Sequence, residues 1–94
     1  MLVYDNNQIG KRLMMTTEEL LNLIAKALKV DVKRITLESK SESLDEWDSL
    51  GHLNILVQLD KATDGKASEI SELVEANSVS DFKSILKSKN MIID

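Results

Sequence analysis

The sequence predicts an all-α fold: a four-helix bundle with a long loop between helices 1 and 2 and a short third helix. Three observations carry that prediction. Proline is absent and glycine occurs only at positions 10, 51 and 65, so little in the chain breaks a helix. The strong helix formers Leu, Lys and Glu are frequent. Apolar residues recur three and four apart in separate segments, each preceded by a Ser, Thr or Asp able to cap a helix.

The first helix starts near Thr16 or Thr17. Thr16 with Glu19 three residues on is a capping box, and Glu18 and Glu19 suit the positive end of the helix dipole. Leu20, Leu21, Ile24, Ala27 and Leu28 form one apolar stripe, and the helix is expected to stop around Lys29 or Val30. Residues 30–48 form the long connection. Val30, Val32, Ile35, Leu37 and Leu44 are spaced as anchors into a core, and Glu38-Ser39-Lys40-Ser41-Glu42-Ser43 reads as surface. A loop this long in a small domain is unusual and often functional.

The second helix runs from about Ser49 to about Thr63 with Asp48 as N-cap. Leu53, Ile55, Leu56 and Leu59 make its apolar face, with Leu50 and Val57 toward the margins. Asp64-Gly65 ends it, the glycine taking a left-handed cap. Residues 69–76 read as the short third helix, with Ile70, Leu73 and Val74 facing in. Ser78 or Ser80 caps the last helix, whose apolar face is Val79, Phe82, Ile85 and Leu86. The domain organisation is an N-terminal extension over residues 1–15, partly ordered at most, a helical domain over 16–90 and a tail over 91–94.

Composition narrows the function classes. Ninety-four residues make one domain. The net charge of −4, from 16 acids against 12 bases, argues against nucleic acid as a partner, because phosphate binding needs a basic face. The acids gather between Glu38 and Asp48. With no cysteine there is no disulfide, thiolate metal site or cysteine nucleophile. No run approaches a membrane span, and the N-terminus lacks the basic start and apolar run of a signal peptide. A cytoplasmic monomer is expected, with no membrane partner.

Candidate chemistry centres on Glu46-Trp47-Asp48-Ser49-Leu50-Gly51-His52-Leu53, which holds the only Trp and the only His. Ser49, His52 and Asp48 or Glu46 contain the residue types of a triad. Neighbours on one helical turn cannot aim nucleophile, base and orienter in sequence, so no enzyme is expected. Asp60-Lys61-Ala62-Thr63-Asp64-Gly65 begins like a calcium loop but fails at its third position (Ala62) and its twelfth (Ser71). His52 reads as a surface or boundary residue without an assigned role, and Trp47 as a plug at the loop–helix junction. Ser49 stands apart, because at a helix start a group attached to it can be activated from outside. A phosphate there faces free N–H groups and the positive dipole end.

Trp47-Asp48-Ser49-Leu50, followed by Gly51-His52-Leu53 and an aliphatic helix, resembles the prosthetic-group site of acyl carrier proteins. The resemblance covers approximately residues 16–89 and implies an acyl-carrier-like bundle, with residues 16–90 as the carrier domain. It implies a free-standing carrier of acyl or aminoacyl groups, held as thioesters on 4′-phosphopantetheine attached to Ser49. Asp48 would present Ser49 to a phosphopantetheinyl transferase. Leu50 and Val57 would face partners, among them acyl- or aminoacyl-loading enzymes and downstream transferases. The aliphatic interior would shelter cargo. The second helix departs from the fatty-acid carriers, whose recognition helix is strongly acidic. Here its surface is expected to be Gly51, His52, Asn54 and Gln58, which points to a specialised biosynthetic pathway. The alternatives are an aminoacyl or peptidyl carrier of a nonribosomal-type pathway, or an unmodified helical interaction domain.

Overall fold

The structure, a computed structural model, describes residues 14–93; the expectations for residues 1–13 and for Asp94 lie outside them. Among the described residues are four α-helices and no strand: α1 (Thr17–Leu28), α2 (Ser49–Ala62), α3 (Glu72–Glu75) and α4 (Val79–Ser88). The all-α expectation therefore holds. Short 3₁₀ turns at Val32–Arg34, Ser41–Ser43 and Ala67–Glu69 shape the connections. The third helix is shorter than residues 69–76. The Ala67–Glu69 turn takes up its start, and Ile70 is extended (φ −105°, ψ 95°), which interrupts the helical ladder.

The helix starts follow the sequence. The Thr16 hydroxyl accepts the Glu19 N–H at 3.1 Å, and the Glu19 carboxylate accepts the Thr16 N–H at 3.0 Å. Ser78 caps α4 by accepting the Asp81 N–H at 3.1 Å. The helix ends share a device the sequence did not announce. Lys29, Asp64 and Asn90 take left-handed backbone angles (φ 61°, 57° and 60°). The following N–H then returns to a carbonyl five residues back: Val30 to Ala25, Gly65 to Asp60 and Met91 to Leu86, at 2.8–3.0 Å. This pattern satisfies carbonyls that a helix end leaves unpaired. The left-handed position at the end of α2 thus falls on Asp64, one residue before the expected glycine, and Gly65 comes next at φ 87°.

The core is aliphatic around two aromatic side chains, Phe82 and Trp47. Leu20 and Ile24 of α1, Ile55 and Leu59 of α2, Leu73 of α3, and Val79, Phe82 and Leu86 of α4 are fully buried. Each such side chain contributes roughly 1.5–3 kcal/mol relative to exposure. The chain ends join this core. Met15 and Ile92 are buried and bridged, with Met15 N–H to the Met91 carbonyl at 3.0 Å and Ile93 N–H to the Met15 carbonyl at 2.9 Å.

Three expected inward residues are exposed: Val32 (39%), Leu53 (54%) and Val74 (62%). Val32 opens a 3₁₀ turn capped by Asp31, which turns it outward. Leu53 lies two residues from both Gly51 and Ile55, which face the core, so helical geometry puts it on the opposite side. Val74 comes after the buried Leu73 in a single helical turn that has one inward side.

Thr63 ties the end of α2 to the Ala67–Glu69 turn. It is fully buried, its hydroxyl donates to the Leu59 carbonyl at 2.7 Å and accepts the Ala67 N–H at 2.9 Å. Thr63→Val keeps the volume and leaves the Ala67 N–H without an acceptor. A loss of about 1–3 kcal/mol in a urea titration is expected, with Thr63→Ser close to wild type.

Candidate functional site

The loop over residues 29–48 places the candidate serine. Ile35 is buried, and Leu37 and Leu44 pack partly against the core. The Ser41 N–H bonds the Asn77 carbonyl at 2.9 Å, and the Val79 N–H bonds the Ser39 carbonyl at 3.0 Å. These bonds pin the middle of the loop to the start of α4. Arg34 holds the loop's end by a two-pronged contact with the Glu46 carboxylate at 3.1 and 3.2 Å. That pairing lowers the Glu46 carboxyl below its usual range and raises the Arg34 guanidinium further. A lowered carboxyl contributes stability above its unfolded value, and that contribution fades as pH falls through the folded one. Both groups are solvent-exposed, so the contact positions the chain more than it stabilises it.

Trp47 comes next and is buried, at 4% exposure, as its place at the loop–helix junction predicts. Its ring lies nearly parallel to Phe82 (centroids 5.9 Å apart, 19° between planes). Asp48 then caps α2, its carboxylate accepting the Gly51 N–H at 2.8 Å. Ser49 is the first residue of α2 and is exposed. The expected order of anchor, cap and serine is therefore present in space.

Gly51 is buried rather than part of the helix surface. A Cβ at this position would overlap the Glu46 carbonyl oxygen and approach the Leu28 side chain to 2.8 Å. The loop thus crosses over the first turn of α2 through space that only a glycine leaves open. No pattern of apolar spacing reveals this. The signal available in the sequence was a glycine inside the first turn of an otherwise glycine-poor helix.

His52 lies at the boundary, one of the two places expected for it, and has partners that the sequence did not assign. It is half-buried and bonded through both ring nitrogens. The Trp47 indole N–H donates to His52 Nδ1 at 3.1 Å, and His52 Nε2 lies 3.1 Å from the Leu73 carbonyl oxygen. An indole nitrogen only donates and a carbonyl only accepts. Nδ1 must therefore be bare and Nε2 must carry the proton. The imidazole stacks near Phe82, with centroids 5.6 Å apart. It joins the loop, the first turn of α2 and α3. The only Trp lying five residues before the only His, across a helix start, was the available sign.

Two grooves lie on the α3 side of α2. An open groove of about 530 Å³ is lined by Ser41, Trp47, Asp48, Ser49, His52, Val74, Glu75, Ala76 and Asn77. A second, mostly apolar groove of about 490 Å³ runs between α2 and α3, lined by Leu56, Val57, Ile70, Leu73 and Val74 with Asp60, Lys61, Ser68 and Ser71 among its polar members. The outward face of α2 carries Leu50 (67% exposed), Leu53 (54%) and Val57 (42%). Their spacing of three and four residues makes one continuous ridge. Leu50 and Val57 are exposed as expected, and Leu53 completes the ridge. Among the described residues no group of three or more His, Asp or Glu could hold a metal ion, and none of their helices is long and apolar enough to cross a membrane.

Gly51→Ala is a sharp check on the loop crossing. In an open helix the change would stabilise by about 1 kcal/mol. Here overpacking should win, giving a net loss of about 1–3 kcal/mol in urea unfolding, with a red shift of the single Trp47 emission as the loop lifts.

In comparison with known proteins, the chain matches no family model, no curated protein and no solved structure.

Proposed function

We propose that this chain is an acyl carrier protein that bears acyl or aminoacyl groups on 4′-phosphopantetheine esterified to Ser49. The observation that carries the proposal is the presentation of Ser49. It is exposed on the first turn of a capped helix, directly after a buried Trp and a capping Asp, in a motif that resembles the attachment site of that family.

The local environment suits the group. The Ser49 hydroxyl faces solvent, and the first-turn N–H groups and helix dipole favour the anion of a phosphodiester. Asp48 has two tasks on this reading. It holds the turn by taking the Gly51 N–H, and it places a carboxylate beside the serine for the transferring enzyme to read. The arm supplies the thiol that a chain without cysteine lacks. The apolar groove between α2 and α3 offers lodging for an aliphatic cargo. The chain contributes attachment and recognition, and the transferase supplies the base that activates Ser49.

Partner recognition rests on the Leu50–Leu53–Val57 ridge. Its neighbours Asn54 and Gln58 are neutral, and charge on α2 begins only at Asp60 and Lys61. Docking would draw on apolar burial more than on steering by an acidic helix. That supports a dedicated carrier in a specialised biosynthetic pathway, working free-standing in the cytoplasm. The same ridge also favours a second reading, an unmodified helical interaction domain.

Incubation with coenzyme A and a promiscuous phosphopantetheinyl transferase, followed by intact-mass measurement, separates the two readings. A gain of one phosphopantetheine is expected, absent in Ser49→Ala. No gain across several transferases overturns the carrier reading in favour of the interaction domain.

Leu53→Asp and Val57→Asp should each slow modification about tenfold, the loss of one interface anchor, with an unchanged far-ultraviolet circular dichroism spectrum. A collapse of helicity in these variants would show instead that the ridge supports the fold.

A further inference from the structure

We propose that His52 is a proton-sensitive latch that ties the Trp47 segment to α3 beside Ser49. The argument starts from hydrogen-bond inventory. The Trp47 indole nitrogen can only donate, so its bond to His52 Nδ1 exists only while that nitrogen is bare. The Leu73 carbonyl requires the proton on Nε2. A second proton on the ring has one place to go, Nδ1, where it would face the Trp47 N–H across 3.1 Å. Two donors cannot share that gap, so protonation breaks the Trp47–His52 bond. The bond from Nε2 to Leu73 survives and is strengthened by the charge. The latch therefore opens on the loop side and stays attached on the α3 side.

The surroundings determine where the movement goes. Trp47, His52 and Phe82 form a mutually stacked trio, with centroids 5.6–6.3 Å apart. Phe82 is fully buried and belongs to α4. The partner released is the Trp47 indole, whose segment continues into Asp48 and Ser49. Trp47 and His52 also line the 530 Å³ groove with Ser49. Its charged members are Asp48, from the loop, and Glu75, from α3; no lysine or arginine lines it. From α4 the Asp81 carboxylate takes the Asn77 N–H at 3.2 Å. Acid thus costs the loop its Trp47–His52 bond, and the turn that presents Ser49 loses one of its ties to α3.

This inference concerns the unmodified chain and holds whether or not Ser49 carries a prosthetic group. The chain's single Trp and single His make the test direct. In a ¹⁵N-labelled sample the Trp47 indole N–H gives one resonance and the His52 ring carbons report its protonation. As pH is lowered and the His52 ring carbons report protonation, the indole resonance is expected to move toward the free-indole position and its exchange with water to rise about tenfold, the ratio for one ordinary hydrogen bond lost. The amides of Ala76 and Asn77 should shift with the midpoint of His52. His52→Phe should show a free indole at every pH, and His52→Gln should remove the pH dependence. An indole resonance that holds still while the His52 ring carbons titrate overturns the proposal. So does a His52 ring that stays neutral until the whole chain unfolds.

Discussion

The close passage of the loop over Gly51 is the constraint on which the rest of this structure depends. Three things meet at that point: the Glu46 carbonyl, the Leu28 side chain at the end of α1, and the first turn of α2. Because nothing projects from Gly51, the loop can descend far enough to bury Trp47 against Phe82. Because Trp47 is fixed, Asp48 lands where its carboxylate meets the Gly51 N–H. Because Asp48 caps, α2 begins at Ser49 and at no earlier residue. One missing Cβ thus fixes the register of anchor, cap and serine.

His52 converts that register into a connection between elements. A helix as short as α3 has too few internal hydrogen bonds to stand alone. It is held by the burial of Leu73, by Ile70 and Ala76 against the core, and by the bond from Leu73's carbonyl to the imidazole. The Thr63 hydroxyl performs the related task at the other end of α2, where it takes the Ala67 N–H. The α2–α3 connection is therefore bracketed by two polar side chains of α2's own turns. Between the brackets lies the apolar groove, whose walls are the half-buried Leu56 and the exposed Val57 and Val74.

The sequence made the helix starts legible, because capping is local chemistry. Thr16 with Glu19, Asp48 with Gly51, and Ser78 with Asp81 lie within three residues of their partners. The exposure of Ser49 came from its place at such a start. On α2 the inward placing of Ile55, Leu56 and Leu59 held and that of Leu53 failed. Leu50, Leu53, Ile55, Leu56, Val57 and Leu59 are apolar around most of the circumference, so periodicity could not choose the inward side. Gly51 decides it: the helix turns its bare side toward the loop and α1, and Ile55 and Leu59 succeed it at four-residue intervals. The role of His52 was out of reach for another reason. Its carbonyl partner Leu73 is 21 residues away, and no local rule links them.

The electrostatics of the serine end give the proposed carrier reading its character. A phosphodiester on Ser49 would meet two opposing influences. The uncapped N–H groups and dipole of α2 favour it by about 0.3–1 kcal/mol at an exposed site. Asp48 and Glu75, which share the groove, oppose it. These effects oppose one another and both are weakened by salt, so on the proposed reading the site would not grip the anion. An arm that is attached but not held suits a group that must reach different active sites in turn. On the proposed reading, selectivity would fall to the neutral ridge of Leu50, Leu53 and Val57, where burial of apolar surface is insensitive to ionic strength. Such a carrier would separate its two tasks: attachment by covalent bond at a mildly acidic mouth, and recognition by shape along an uncharged helix face.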